Sequence, residues 1–195
     1  MKKIYIIGAG PFGRELLGWF NKDYNYTNQF SFEGFLDNRK SLLDSYDGEY
    51  KIVGNPFNFP FSANDFCLVG VADPFYKSEL IKKLNSNISI ISFISSRAII
   101  SHTAKIGVGS VIAPWVSISN DTNIGKYVTV LVGAKIGHDC RPKGVRRRIT
   151  AVPEPKNYKN LRRSAQFATF RRPGGSAVLG TRLVVRSRDG SLDRC

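Results

Sequence analysis

The chain has 195 residues, 42% of them hydrophobic, and a formal net charge of +14. This length holds one large domain or two small ones with a real core, and no segment approaches the length of a membrane span. The charge suggests a nucleic-acid partner, but residues 1–140 carry 14 Lys and Arg against 12 Asp and Glu, whereas residues 141–195 carry 15 against 3.

Met1-Lys2-Lys3 and the short apolar run after it lead straight into a glycine turn, which is not the layout of a signal peptide. Cys67, Cys140 and Cys195 are odd in number and far apart, as expected of free thiols in a reducing cytoplasm. Lys3 to Ile7 reads as a strand, and Gly8-Ala9-Gly10-Pro11-Phe12-Gly13 follows at once. A helix is predicted from about Phe12 to Phe20, with Leu16, Leu17 and Phe20 on one face. Strand, glycine-rich turn and helix in this order match the fingerprint of a dinucleotide or phosphate site, because glycines let backbone N–H groups approach an anion, although many βα turns that bind nothing also need glycine.

A second strand, Phe30 to Leu36, ends at Asp37-Asn38, where a carboxylate can accept from a ribose or a base or can simply start a turn. Phe66 to Val71 is a continuous apolar run of the kind found in a central parallel strand. Asp73-Pro74 opens a helix to about Leu84, and Ile88 to Ile94 reads as one more buried strand. These elements make a small α/β unit of 92 residues.

From Ile94 to Ile136 every sixth residue is Ile or Val, and the residue four after each is small or slender, from Ala98 to Cys140. Neither a strand nor an α-helix has a period of six. A six-residue unit belongs to a parallel β-helix, three units to a triangular coil. Aliphatic residues line the axis, and the slender ones, Cys140 included, fit the tight wall. The two histidines, His102 and His138, occupy the same place in their hexapeptides, two coils apart, so they should share one edge about 10 Å apart. His138 is followed by Asp139, and a carboxylate beside an imidazole can fix its tautomer for general-base work. An ordinary reading of either histidine is a solvated turn residue.

The Gly8-Ala9-Gly10-x-x-Gly13-Arg14-Glu15 turn, the Phe35-Leu36-Asp37-Asn38 strand end, the hexapeptide repeat and Ile136-Gly137-His138-Asp139-Cys140 occur in that order. Together they resemble the NeuD/PglD-type sugar O-/N-acyltransferases, and the resemblance covers residues 1–140. It implies a Rossmann-like domain over residues 1–92 and a left-handed parallel β-helix over residues 93–140. It also implies acetyl transfer from acetyl-CoA to a sugar or nucleotide-sugar in the cytoplasm. His138 would be the general base, Asp139 its support, and backbone N–H groups would hold the oxyanion. Gly8, Gly10, Pro11, Phe12, Gly13, Asp37 and Asn38 would bind the nucleotide-sugar. Family members form homotrimers with the active site between neighbouring coils; for this chain neither a membrane nor a nucleic-acid partner is expected.

After Cys140 the next sixth positions, Pro142, Arg148, Glu154, Asn160 and Gln166, include no aliphatic residue. Arg148 on the axis would be an unpaired buried charge. The family continues with further coils that carry most acetyl-CoA contacts, so the β-helix here reads as truncated and the chain is not expected to turn over substrate as the family does. The Arg-rich residues 141–195 read as an irregular basic tail that is not the natural continuation, as a frame shift or joining error would leave. Alternatives are a polyanion-binding tail or a replacement subdomain. An NAD-linked oxidoreductase is the rival enzyme reading, disfavoured because no second mononucleotide half follows.

Overall fold

The computed structural model describes residues 1–46, 50–85 and 87–140, and the backbone of the short strand at 148–149. The chain opens with β1 (Lys2–Ile7), a strand buried on both faces. Its Ile4 and Ile6 enter one apolar cluster with Leu16, Phe20 and Phe35, while Tyr5 and Ile7 enter another with Leu36 and Cys67. Period-two alternation with both faces apolar is what a central strand of a covered parallel sheet needs.

Helix α1 (Pro11–Phe20) starts with proline at its first turn and buries Leu16, Leu17 and Phe20. Each such burial contributes about 1.5–3 kcal/mol. One further turn of helix, α2 (Tyr24–Thr27), is capped by Asp23. Strands β2 (Phe30–Leu36), β3 (Ile52–Gly54) and β4 (Asp65–Val69) follow, then α3 (Pro74–Lys83) and β5 (Ser89–Ile90). The five strands form a parallel sheet in the order β3-β2-β1-β4-β5. The carboxyl ends of β1, β2 and β4 meet at Gly8, Asp37 and Gly70. Asp73 caps α3 by accepting from the N–H groups of Phe75 and Tyr76.

The single strand expected over Ile88–Ile94 is two. β5 pairs with β4 in the α/β sheet, whereas β6 (Phe93–Ile94) pairs with Val111–Ile112 in the coil. The chain changes sheets at Ser92, whose carbonyl accepts from the Tyr26 hydroxyl at 3.1 Å. The apolar run looked continuous because Ile88, Ile90, Ile91, Phe93 and Ile94 are all buried or half-buried, in different surroundings.

The hexapeptide segment lays down two-residue strands: β6, β7 (Ile99–Ile100), β8 (Lys105–Ile106), β9 (Val111–Ile112), β10 (Ser117–Ile118), β11 (Asn123–Ile124), β12 (Thr129–Val130) and β13 (Lys135–Ile136). They stack in three parallel ladders, β6-β9-β12, β7-β10-β13 and β8-β11. Partners are 18 residues apart, as Ile94, Ile112 and Val130 are. Ile112, Ile118 and Ile124 of the middle coil are buried, together with the slender Ser110, Val116, Thr122, Val128, Ala134 and Cys140. Ile94, Ile100 and Ile106 of the first coil are half-buried. The corners carry a feature invisible to the hydrophobic count. Gly109, Trp115, Asp121, Tyr127, Gly133 and Asp139, again six apart, all have left-handed backbone with φ between 58° and 72°.

One expectation about the end of the repeat needs correction. A fourteenth strand, β14 (Arg148–Ile149), adds to β12 with Thr129 beside Arg148 and Val130 beside Ile149. The step is 19 residues rather than 18, so Ile149, not Arg148, takes the register of the aliphatic ladder. The expectation of an irregular tail otherwise lies outside the described residues.

Side chains of the helical segments of the α/β unit tie it to the coil. The Ile94 N–H donates to the Tyr26 hydroxyl at 2.7 Å and the Ser96 N–H to the Asp23 carboxylate at 2.6 Å. Lys77 of α3, only 1% exposed, sends its Nζ to the Tyr127 carbonyl at 3.2 Å and to the Thr129 hydroxyl. Burial lowers the Lys77 pKa to about 8.

Candidate active site

Two places collect the residues singled out from the sequence. The first is the turn after β1. Gly8 has φ +99°, a conformation L side chains rarely adopt. A Cβ on Gly13 would stand 2.0 Å from the Gly8 carbonyl oxygen, so only glycine lets α1 start this close to the turn. Gly70, at the end of β4, is equally pressed, its missing Cβ 2.8 Å from the Gly13 Cα. Gly10 caps α1 with no side-chain hydrogen bond, and the space beside it is open. Pro11 is exposed and Phe12 half-buried against Trp19. The first N–H groups of a helix have no intrahelical acceptor and carry the positive end of its dipole, which suits an anion.

Asp37 lies beside this turn, 5% exposed. Its Oδ2 accepts from the Ala9 N–H at 3.0 Å and from Arg39 Nη2 at 2.9 Å. Its Oδ1 accepts from the Arg39 N–H at 3.0 Å and from Arg39 Nε at 2.9 Å. Burial by itself would push the carboxyl pKa up, but these hydrogen bonds, led by the Arg39 side chain, hold it below the ordinary value. Asp37 therefore closes a turn onto Arg39, as one of its two readings had it, and it also bolts the glycine turn in place. Asn38, its neighbour, is exposed. Sequence reasoning passed over Arg39 and met Arg14 only as part of the glycine-turn motif, with no role. Arg14 donates to the Ala9 carbonyl at 3.0 Å and lies 3.8 Å over the Tyr46 ring. An Arg two residues past an acidic strand end was the available signal for Arg39.

The second place is the coil corner at His138. Its Nδ1 is 2.6 Å from Asp139 Oδ2. An ionised carboxylate can only accept, so in the neutral ring Nδ1 carries the proton and Nε2 presents a free lone pair. The two side chains are 80% and 74% exposed, so the pair is open to solvent. Asp139 has φ +60°, and its N–H donates to the Asn120 carbonyl one coil below at 3.2 Å. The left-handed corner, a conformation for which Asp is enriched, presents the carboxylate beside the preceding ring. Ser119, Asn120, Asp121, His138 and Asp139 line an open depression of about 440 Å³. His102 is not among its lining residues. It occupies the same edge two coils away, with Asn120 at the intervening register. Cys140 is 3% exposed, packed among the coil's aliphatic residues as the repeat implied. Among the described residues no group of three or more His, Cys, Asp or Glu is arranged to hold a metal. No described helix is long and apolar enough to cross a membrane.

No family model matches this sequence, and no curated protein matches it either. Solved structures do match. The acetyltransferase domain of PglB from Neisseria gonorrhoeae FA1090 aligns with a TM-score of 0.63 at 19% identity, over 77% of this chain and 71% of that one. WeeI from Acinetobacter baumannii AYE gives 0.61 at 19% identity, over 77% and 69%. PerB from Caulobacter crescentus, solved with CoA and GDP-perosamine, gives 0.60 at 21% identity, over 72% and 65%. The PglB domain has also been solved with acetyl coenzyme A. At these identities the likeness is one of architecture: the chain has the fold of these acetyltransferases.

Proposed function

We propose that the chain is an acetyl-CoA-dependent acetyltransferase acting on a sugar or nucleotide-sugar, with His138 as general base, and that its transfer is slow, because the aliphatic repeat that would build further acetyl-CoA-contacting coils stops at Ile136. The observation that carries this is the 2.6 Å contact between His138 Nδ1 and Asp139 Oδ2, which leaves Nε2 free over an open depression on the coil. The matching architecture of acetyltransferases solved with CoA, acetyl coenzyme A and GDP-perosamine supports the substrate class. In this reading residues 1–92 form a Rossmann-like nucleotide-sugar domain and residues 93–140 a left-handed β-helix.

Acetyl-CoA would supply an activated acetyl group. Nε2 of His138 accepts the proton of the acceptor hydroxyl or amine as that atom attacks the thioester carbonyl. Asp139 stabilises the imidazolium so formed through Nδ1–H, and the imidazolium returns the proton to the departing thiolate. At the other site the glycine turn and the start of α1 hold phosphate oxygens, and Asp37 faces the ribose. The His138 corner is open in a single chain. Packing of a second coil over it, as in a trimer, would exclude water and strengthen the electrostatics.

The rival oxidoreductase reading shares the glycine turn but leaves the His138 corner without a task. Thermal unfolding separates the two. Stabilisation by a nucleoside-diphosphate sugar and not by NAD is the expected result, and stabilisation by NAD alone would reverse the assignment.

A further inference from the structure

Two guanidinium groups flank the glycine turn, and they are held differently. Arg14 is committed: it donates to the Ala9 carbonyl and stacks on Tyr46. Arg39 is 60% exposed, and the ion pair that holds its guanidinium is with Asp37. A carboxylate offers about four acceptor positions. At Asp37 all four are taken: two by the backbone N–H groups of Ala9 and Arg39, two by the Arg39 side chain. The backbone donors are fixed, since the Ala9 peptide is buried and the Arg39 N–H closes the turn. The guanidinium is the part that can leave.

Resting on the reading that this turn binds a nucleoside diphosphate, we propose that Arg39 is a specificity-determining latch. It occupies Asp37 in the ligand-free protein and leaves that carboxylate for the ligand's phosphates when a nucleoside diphosphate binds. The exchange balances in hydrogen bonds. Departure of the forked guanidinium removes two donors from a nearly buried carboxylate, and the two hydroxyls of a ribose diol replace them. The released cation needs an anionic acceptor of matching fork geometry, which a phosphate supplies and an uncharged nucleoside lacks. The Ala9 peptide joins the two halves: its N–H is bound to Asp37, and the uncapped start of α1 follows it directly. A nucleoside alone would have to displace the latch with nothing to receive it, so ribose recognition is tied to the presence of phosphate.

The test is calorimetric titration of the wild-type chain and Arg39→Gln with uridine and UDP, and with guanosine and GDP. In the wild type the diphosphate binds and its nucleoside binds far more weakly. In Arg39→Gln the diphosphate weakens about tenfold, as loss of a charge-assisted contact implies, while the nucleoside binds more tightly because Asp37 is no longer occupied. Arg39→Lys keeps a cation without the fork and falls between. A purely structural role for Arg39 would move both ligands the same way, and that result, or no change in either, overturns the latch while leaving the nucleotide reading intact. A wild-type chain that binds neither diphosphate overturns both.

Discussion

His138 Nδ1 and Asp139 Oδ2 are neighbours in sequence and only 2.6 Å apart, although adjacent residues on an extended strand point to opposite sides. The reversal is the work of the left-handed corner at Asp139, φ +60°. Asp139→Asn keeps a residue that tolerates this backbone and removes the charge that supports an imidazolium. The expected outcome is a loss of about 10–100-fold in acetyl transfer, with the melting temperature unchanged because both side chains are exposed. Steady-state kinetics beside a thermal scan check it.

The glycine turn yields a paired prediction. Gly13→Ala places a Cβ 2.0 Å from the Gly8 carbonyl, so the variant should be destabilised by several kcal/mol or fail to fold. Gly10→Ala meets nothing within 4 Å and should fold normally, while weakening a phosphate-bearing ligand that approaches the helix start. Denaturant melts and ligand titration of the two variants distinguish a structural glycine from a binding one.

Lys77 makes stability depend on pH in the alkaline range. Its pKa falls from the ordinary 10.5 to about 8 through burial. Below pH 8 the amine is charged in both folded and unfolded chains, and the folded state bears the full cost of burying it. Between pH 8 and 10.5 the folded chain sheds this proton first, so Lys77 contributes a rise in stability with pH on the order of 3 kcal/mol. Above pH 9 this rise is opposed by the buried Cys67 thiol, whose pKa is pushed up to about 12. Lys77→Met should lose this rise. Unfolding free energies of both proteins at pH 7.5, 9 and 10.5 are the check.

The coil's axis is its stability. Ile112→Ala in the middle coil, where the side chain is fully buried, should cost about 2–5 kcal/mol. Ile100→Ala in the half-buried first coil should cost less. A chemical-denaturation series reads the difference directly.

Much of this architecture was legible because its apolar pattern is written in the sequence. Six-fold spacing gave the ladder from Ile94 to Ile136, and the continuous apolar run of Phe66 to Val71 marked a central parallel strand. The boundaries of β2 and α3 followed from Asp37 and from the Asp73-Pro74 start. Other features carried no local signal. Trp115 and Tyr127 sit in left-handed corners that only the coil's geometry imposes. Lys77, in a helix of polar appearance, looks solvent-facing until α3 is docked on the coil. The short β3 strand is held by pairing to β2 rather than by its own pattern. The one-residue slip that brings Ile149 beside Val130 defeats any fixed count. At the candidate site His138, Asp139 and the glycines were found from residue type and order. The Arg39 fork on Asp37 was not, since hydrogen-bond saturation of a carboxylate is a property of three dimensions.

Transfer of the acetyl group with enzyme in excess, wild type against His138→Ala, tests the central claim most directly. The acyl donor is acetyl-CoA and the acceptor a panel of nucleotide-linked amino sugars and free sugars. The account predicts CoA release that requires an acceptor and falls at least about hundredfold in His138→Ala, with the melting temperature unaltered. Release that survives loss of the imidazole, or no acceptor-dependent release from the wild-type chain, would contradict it.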